Sequence, residues 1–206
     1  NNIITLSMLV ISKVPCTKII FYLKASEPRP EEIKAPGGIP TMWKTGHSWI
    51  KSKLAEEKAA LAGEMIGHIC FVEDFYGFDD GFFAALKVLE YLSTQDKPLS
   101  EIIASTPYYA STPTIQVKTT DEDKYNVVES LTKEFKDEGY NVVDINGARV
   151  YLEGGWGLVR ASSNTPSLVL RFEAKNQEQL DKIKSIFKEK IDKFESVSKD
   201  WDTSGH

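Results

Sequence analysis

GWGLVRASSNTPSLVLRFEA, residues 155–174, sets a polar loop between two apolar runs. Residues 156–160 and 168–172 are short and rich in Val, Leu and aromatic side chains, so both read as strands. The connection, RASSNTPS at 160–167, offers a guanidinium from Arg160 and hydroxyls from Ser162, Ser163 and Thr165. It adds the amide of Asn164 and several backbone N–H groups. A dianionic phosphate is recognised by such a set: many donors, a fixed cation and no carboxylate close by. Arginine suits the role because its planar fork meets two phosphate oxygens at once. The same composition also describes a solvated hairpin tip with an exposed Arg.

Toward both sides of this stretch the pattern stays regular. Residues 114–119 alternate as a strand. A helix over 121–138 places Tyr125, Val128, Leu131 and Phe135 on one face, and Gly139 stops it. Residues 140–145 and 149–153 form two strands joined at Asn146-Gly147, a strong hairpin signal. Asn176 caps the last helix, with Gln179 three residues on. Leu180, Ile183, Phe187, Ile191 and Phe194 line its buried face, and the Lys/Glu run at 175–193 is its wet face. The order summarises as β-α-β-β-β-α, an α+β unit with helices on one face of an antiparallel sheet.

The first half reads differently. Residues 3–14 are apolar and predict a buried helix or strand; 18–24 and 41–44 predict strands, separated by a Pro/Gly-rich stretch. Ile50, Leu54 and Leu61 suit a helix from about 48 to 60. The segment 61–71 mixes Gly63, Glu64, Gly67 and His68 with apolar residues and reads as a loop whose backbone passes close to something. Asp79 and Asp80 precede an amphipathic helix through Phe82, Phe83, Leu86, Leu89 and Leu92, as acids at its positive end. Pro98 opens a short helix to about 104. The aperiodic STPYYASTP at 105–113 is the linker, which gives domains at 1–106 and 112–206.

Composition narrows the function classes. With 206 residues there is room for one large domain or two small ones. A net charge of -5 argues against a general nucleic-acid binder. No apolar run approaches the ~20 residues of a membrane helix, and the start does not read as a signal peptide. Cys16 and Cys70 lie in apolar stretches and are expected reduced and packed, in a cytoplasmic protein. The first residue is Asn, so the chain is expected to begin inside a longer product. Trp43, Trp49, Trp156 and Trp201 are expected to be packing residues.

Further polar groups sit where chemistry is plausible. Glu64 and His68 can accept from and donate to adjacent sugar hydroxyls, or be a loop Glu and a packed His. KTGH, with Lys44 and His47, follows a strand and precedes a helix, where backbone N–H groups face an anion. Lys24 ends a strand. No Ser-His-Asp or Cys-His triad can be assembled.

Each motif alone is weak, but their order and spacing resemble the third and fourth domains of the phosphomannomutase/phosphoglucomutase family. The resemblance runs from about 18 to 195. It is closest over MWKTGHS (42–48), LAGEMIGH (61–68), YGFDDG (76–81) and 155–174. It implies an α/β third domain, a mixed sheet with flanking helices, followed by the antiparallel α+β domain. It implies that Glu64 and His68 grip sugar hydroxyls, with Ile66 where the family has serine. Lys24 and His47 match assisting positions, with Lys44 beside them. Arg160, Ser162, Ser163, Asn164 and Thr165, with Arg171 in the following strand, match the phosphate site, which is expected to face the pocket around Glu64.

The family's phosphoserine and its Asp-Gly-Asp-Gly-Asp-Arg magnesium loop belong to its first two domains, and neither motif occurs here. In the intact enzyme the phosphoserine phosphorylates a hexose monophosphate. The hexose 1,6-bisphosphate then turns over and returns its other phosphate. The implied ligands are glucose or mannose 1- or 6-phosphate, and the implied partners are domains 1 and 2. No metal site is expected in this chain, which should bind weakly and not catalyse alone. Two other readings stand beside this one: a non-catalytic sugar-phosphate-binding module, and a metal-dependent hydrolase using His47, Glu64 and His68.

Overall fold

The computed structural model describes residues 2–14, 16–26, 34, 37–64, 67–105 and 107–201, the backbone alone for 2–5. Ile66 therefore lies outside the described residues. The chain divides into two units, Asn1–Pro107 and Tyr108–His206.

In the first unit the elements are α1 (Asn2–Lys13), β1 (Lys18–Tyr22), β2 (Ile39–Trp43), α2 (His47–Glu56), β3 (Leu61–Gly63), β4 (Ile69–Phe71), α3 (Gly81–Ser93) and α4 (Leu99–Ala104). The sheet runs β2-β1-β3-β4. Strands β2, β1 and β3 are parallel, and β4 is antiparallel to β3. KIIFY in β1 is buried almost throughout, as a central parallel strand covered on both faces must be. Helix α2 packs on β1, β2 and β3, while α1 packs on α3 and β3.

The segment 61–71 is thus a short hairpin rather than one loop. Its apolar ends pair, and the turn between them carries Glu64 and His68. In α3 the buried contacts come from Phe83, Ala84 and Val88, whereas Phe82, Leu86 and Leu89 are exposed. The helix has two apolar stripes, and the spacing alone picks the outer one. Cys70 is packed as expected, but Cys16 is exposed, in a left-handed turn after α1.

The second unit holds β5 (Ala110–Ser111), β6 (Ile115–Lys118), α5 (Asp123–Asp137), β7 (Asn141–Val143), β8 (Ala148–Leu152), β9 (Gly155–Ala161), β10 (Ser167–Ala174) and α6 (Gln177–Ile191). Four strands separate the two helices, matching the four segments read at 140–145, 149–153, 156–160 and 168–172, one more than the summary order counts. The order is β5-β10-β9-β8-β7 with β6 also on β10, and the pairing is antiparallel throughout. Both helices pack on one face, over Val150, Val159, Leu170 and Phe172. In α5 Leu131 and Phe135 are buried, but Tyr125 is exposed and Val127 takes its place. Asn176 caps α6, its Oδ1 accepting from Gln179 N at 2.9 Å. Trp156 is fully buried and donates to Glu173 at 3.1 Å, and Trp201 stacks on Phe172.

Among the described residues, no helix is long and apolar enough to cross a membrane.

Candidate functional site

In an open parallel sheet, loops at the carboxyl ends of the strands gather on one edge, and ligands bind there. The first unit gathers its candidate residues at that edge. Lys24 lies two residues beyond β1, Lys44 follows β2, and Glu64 follows β3. Because β4 runs the other way, His68 just before it returns to the same edge.

Hydrogen bonds knit part of this edge together. Glu64 is buried, and its Oε1 accepts from Gly46 N at 3.0 Å. That bond ties the Lys-Thr-Gly-His turn to the β3–β4 turn. Gly46 has φ 123° and ψ 125°, a region open to glycine alone, so the position is fixed by backbone geometry. Across the hairpin Glu64 N donates to His68 O at 2.9 Å. The rings of His47 and His68 lie 5.6 Å apart, and Ser48 Oγ is 3.3 Å from His47 Nε2. His68 Nδ1 meets Asp79 Oδ2, and Asp79 Oδ1 accepts from Ile69 N. Lys44 is half-buried, its ammonium 4.8 Å from the Trp49 ring. Thr45 Oγ1 is buried without a partner among the described residues. Glu64, His47 and His68 are therefore brought together, Lys44 belongs to the same turn, and Lys24 is placed only at the shared edge.

Sequence reasoning missed Asp79. It grouped Asp79 with Asp80 as helix-start acids, but only Asp80 caps α3, accepting from Phe83 N at 2.7 Å. A short bridge between Cys70 and Asp79 turns the first carboxylate to His68 instead. The doubled acid after a strand was the available signal.

In the second unit the β9–β10 connection is a tight, donor-rich loop. Ser162 is buried, and its Oγ accepts from Asn164 N at 3.4 Å, Thr165 N at 3.2 Å and Thr165 Oγ1 at 2.8 Å. Its hydroxyl thus holds the loop curled, while Ser163, Asn164 and Thr165 are exposed. Thr165 Oγ1 also bonds Ser167 Oγ at 2.7 Å. Pro166 O accepts from Thr119 N at 3.0 Å, and Thr165 O from Lys124 Nζ at 3.3 Å. Lys124, buried in the first turn of α5, sets a cation and a helix N-terminus against the loop. The sequence reading had passed over it.

Arg160 begins the loop, with its guanidinium 3.5 Å from Asn146 Oδ1. Strand register puts Arg171, opposite Leu158, on the same face as Arg160, opposite Val169; Arg171 is buried. Arg160 also lines a groove along α5, but Lys133–Asp137 and Lys136–Asp144 pairs neutralise those walls. Lys124 Nζ is shared between the loop carbonyl and Asp121 Oδ1, 2.6 Å away.

The sequence matches the description "Phosphoglucomutase/phosphomannomutase, alpha/beta/alpha domain III" over residues 3–109, and that of the family's C-terminal domain over residues 115–190. The chain belongs to the phosphoglucomutase/phosphomannomutase family. The phosphomannomutase/phosphoglucomutase of Pseudomonas aeruginosa is 42% identical over 187 residues, 91% of this chain and 40% of that protein. A phosphoglucomutase of Neisseria gonorrhoeae is 40% identical over 185 residues, 89% of this chain and 40% of that protein. The crystal structure of a phosphoglucomutase/phosphomannomutase family protein from Burkholderia thailandensis superposes with a TM-score of 0.85 at 36% identity, covering 93% of this chain and 41% of that one. The chain thus spans about two fifths of the length of these relatives. Its two units correspond to the third and the C-terminal domains of the phosphohexomutase fold.

Proposed function

We propose that this chain is the sugar- and phosphate-recognising portion of a phosphohexomutase. The whole enzyme interconverts hexose 1-phosphate and hexose 6-phosphate through a phosphoserine and a hexose 1,6-bisphosphate. The observation that carries the reading is the loop after Arg160, which exposes Ser163, Asn164 and Thr165 over a buried Ser162 and Lys124. Arg160 with these groups, and Arg171 behind them, holds the phosphate that stays on the sugar. Glu64 and His68, with His47 beside them, take sugar hydroxyls; Lys24 and Lys44 supply cations at the same edge. Hydroxyl recognition suits a reaction in which the sugar must bind in two opposite orientations.

Transfer of the phosphoryl group is assigned to domains 1 and 2 of the whole protein, the partners of this chain. The magnesium the family implies does not fit here. Among the described residues no three His, Cys, Asp or Glu side chains form a group able to hold a metal. That includes His47, Glu64 and His68, so a hydrolase built on them is not supported. The chain's own share is binding and orientation, in the cytoplasm, where the thiols of Cys16 and Cys70 stay reduced.

Calorimetric titration with glucose 1-phosphate or mannose 1-phosphate tests this. Weak binding without turnover is expected, and Arg160→Ala should abolish it, because losing a charge-assisted pair costs on the order of 2–5 kcal/mol. An unchanged affinity in that variant would remove the loop from the site.

A further inference from the structure

The hydrogen bond between His68 and Asp79 fixes more than the direction of a ring. The Nδ1–Oδ2 distance is 2.5 Å, and Asp79 Oδ1 accepts from Ile69 N at 2.9 Å. An ionised carboxylate can only accept. The shared proton therefore belongs to Nδ1, and in the neutral imidazole the other nitrogen, Nε2, carries a lone pair. We infer that Asp79 is a positioning residue: it holds His68 in the Nδ1–H tautomer, so that Nε2 accepts a hydrogen bond and this subsite reads a sugar hydroxyl rather than a phosphate oxygen.

The surroundings agree with that polarity. Glu64, buried at the neighbouring position of the hairpin, is another acceptor. A hydroxyl has a proton to give to such groups, whereas a phosphate dianion has none and would meet two carboxylates. The two carboxylate oxygens of Asp79 have separate tasks. One is committed to the Ile69 amide, and the backbone of Asp79 is bridged to Cys70, so the side chain cannot turn away.

This double commitment makes one substitution decisive. In Asp79→Asn the amide oxygen must stay toward the Ile69 N–H, because the reverse orientation sets donor against donor. The NH2 group then faces Nδ1 and can only donate, which moves the ring proton to Nε2. The variant is nearly isosteric, keeps the Ile69 bond, and inverts the hydrogen-bonding sense of the ring.

The hydroxyl assignment rests on the proposed function; the tautomer does not. Long-range ¹H–¹⁵N correlation spectra of the ¹⁵N-histidine-labelled chain, at a pH where His68 is neutral, read the tautomer directly. The His68 signals are assigned by their loss in His68→Gln. The expected result is a protonated Nδ1 in the wild type and a protonated Nε2 in D79N, a reversal that a merely structural Asp79 would not produce. In parallel, the preference for glucose 6-phosphate over inorganic phosphate should narrow about tenfold in D79N, because the hydroxyl loses the acceptor for its proton while a phosphate oxygen gains a donor. A wild-type ring protonated at Nε2, or a D79N ring still protonated at Nδ1, overturns the inference. A reversed tautomer with an unchanged preference for glucose 6-phosphate over inorganic phosphate overturns the hydroxyl reading. If the wild type binds no hexose phosphate at all, the proposed function falls and the tautomer result stands by itself. Should D79N fail to fold, the wild-type spectrum alone decides.

Discussion

Two lysines converge on Glu57. Lys18 Nζ lies 2.5 Å from Oε2, and Lys53 Nζ 2.7 Å from Oε1. The hydrogen bond from Lys18, then that from Lys53, holds the carboxyl at about 2, below its ordinary 4.5, against a smaller opposing effect of burial. A depressed folded-state pKa contributes stability that is complete above the unfolded value and is lost as pH falls through the folded one. Between about pH 4.5 and 2 the first unit should therefore lose stability through this residue. Glu57→Gln should make that dependence shallower, measured as urea midpoints across the acid range. Some residues could be singled out from the sequence and others could not. Arg160 and its loop stood out because eight residues rich in donors, with an arginine and no carboxylate, are rare. Asp79 did not, because nothing in its local spacing tells a helix-start acid from one turned back to a histidine eleven positions earlier. Cys16 looked packed only because its neighbours are apolar.

At the scale of elements, the second unit shows why its signature contains glycines that sequence patterns leave unexplained. A Cβ on Gly157 would sit 2.3 Å from the Phe187 ring of α6. The strand is bare there so that the helix can lie against the sheet, with Phe187 fully buried and touching Phe135 and Phe172. Gly157→Ala should destabilise the second unit by about 1–3 kcal/mol, the usual cost of overpacking a filled core. Chemical denaturation checks this, and a cost near zero would mean that α6 shifts freely. Element type was readable wherever one face alone is apolar, as in α6. In α3 the type was read correctly and the buried face was not, because two apolar stripes compete and burial follows the one with Phe83, Ala84 and Val88. Element type misled at 61–71, where three-residue strands are too short to show a period.

Across the whole molecule the two units have separate cores, one around Ile20, Leu54 and Phe71, the other around Val159, Phe172 and Phe187. Side chains in different cores should act additively. Thermal unfolding should resolve a step that Leu54→Ala lowers and another that Phe187→Ala lowers, each leaving its counterpart in place. Deleting such side chains typically costs about 2–5 kcal/mol. A single transition shifted equally by both variants would contradict this. In the sequence a Pro-interrupted stretch without period, 105–113, separates two different element orders, and the chain divides into units after Pro107. The common carboxyl edge in the first unit was not visible in the sequence, since strand order cannot be read from spacing.

The indole of Trp49, more than half exposed, stands beneath the ammonium of Lys44. A cation so near the ring perturbs its excited state. An anion that draws Lys44 away changes the brightness and colour of the emitted light. Were Lys44 to take an anion as proposed, the turn after β2 would carry its own gauge of occupancy, readable in dilute solution without any added label.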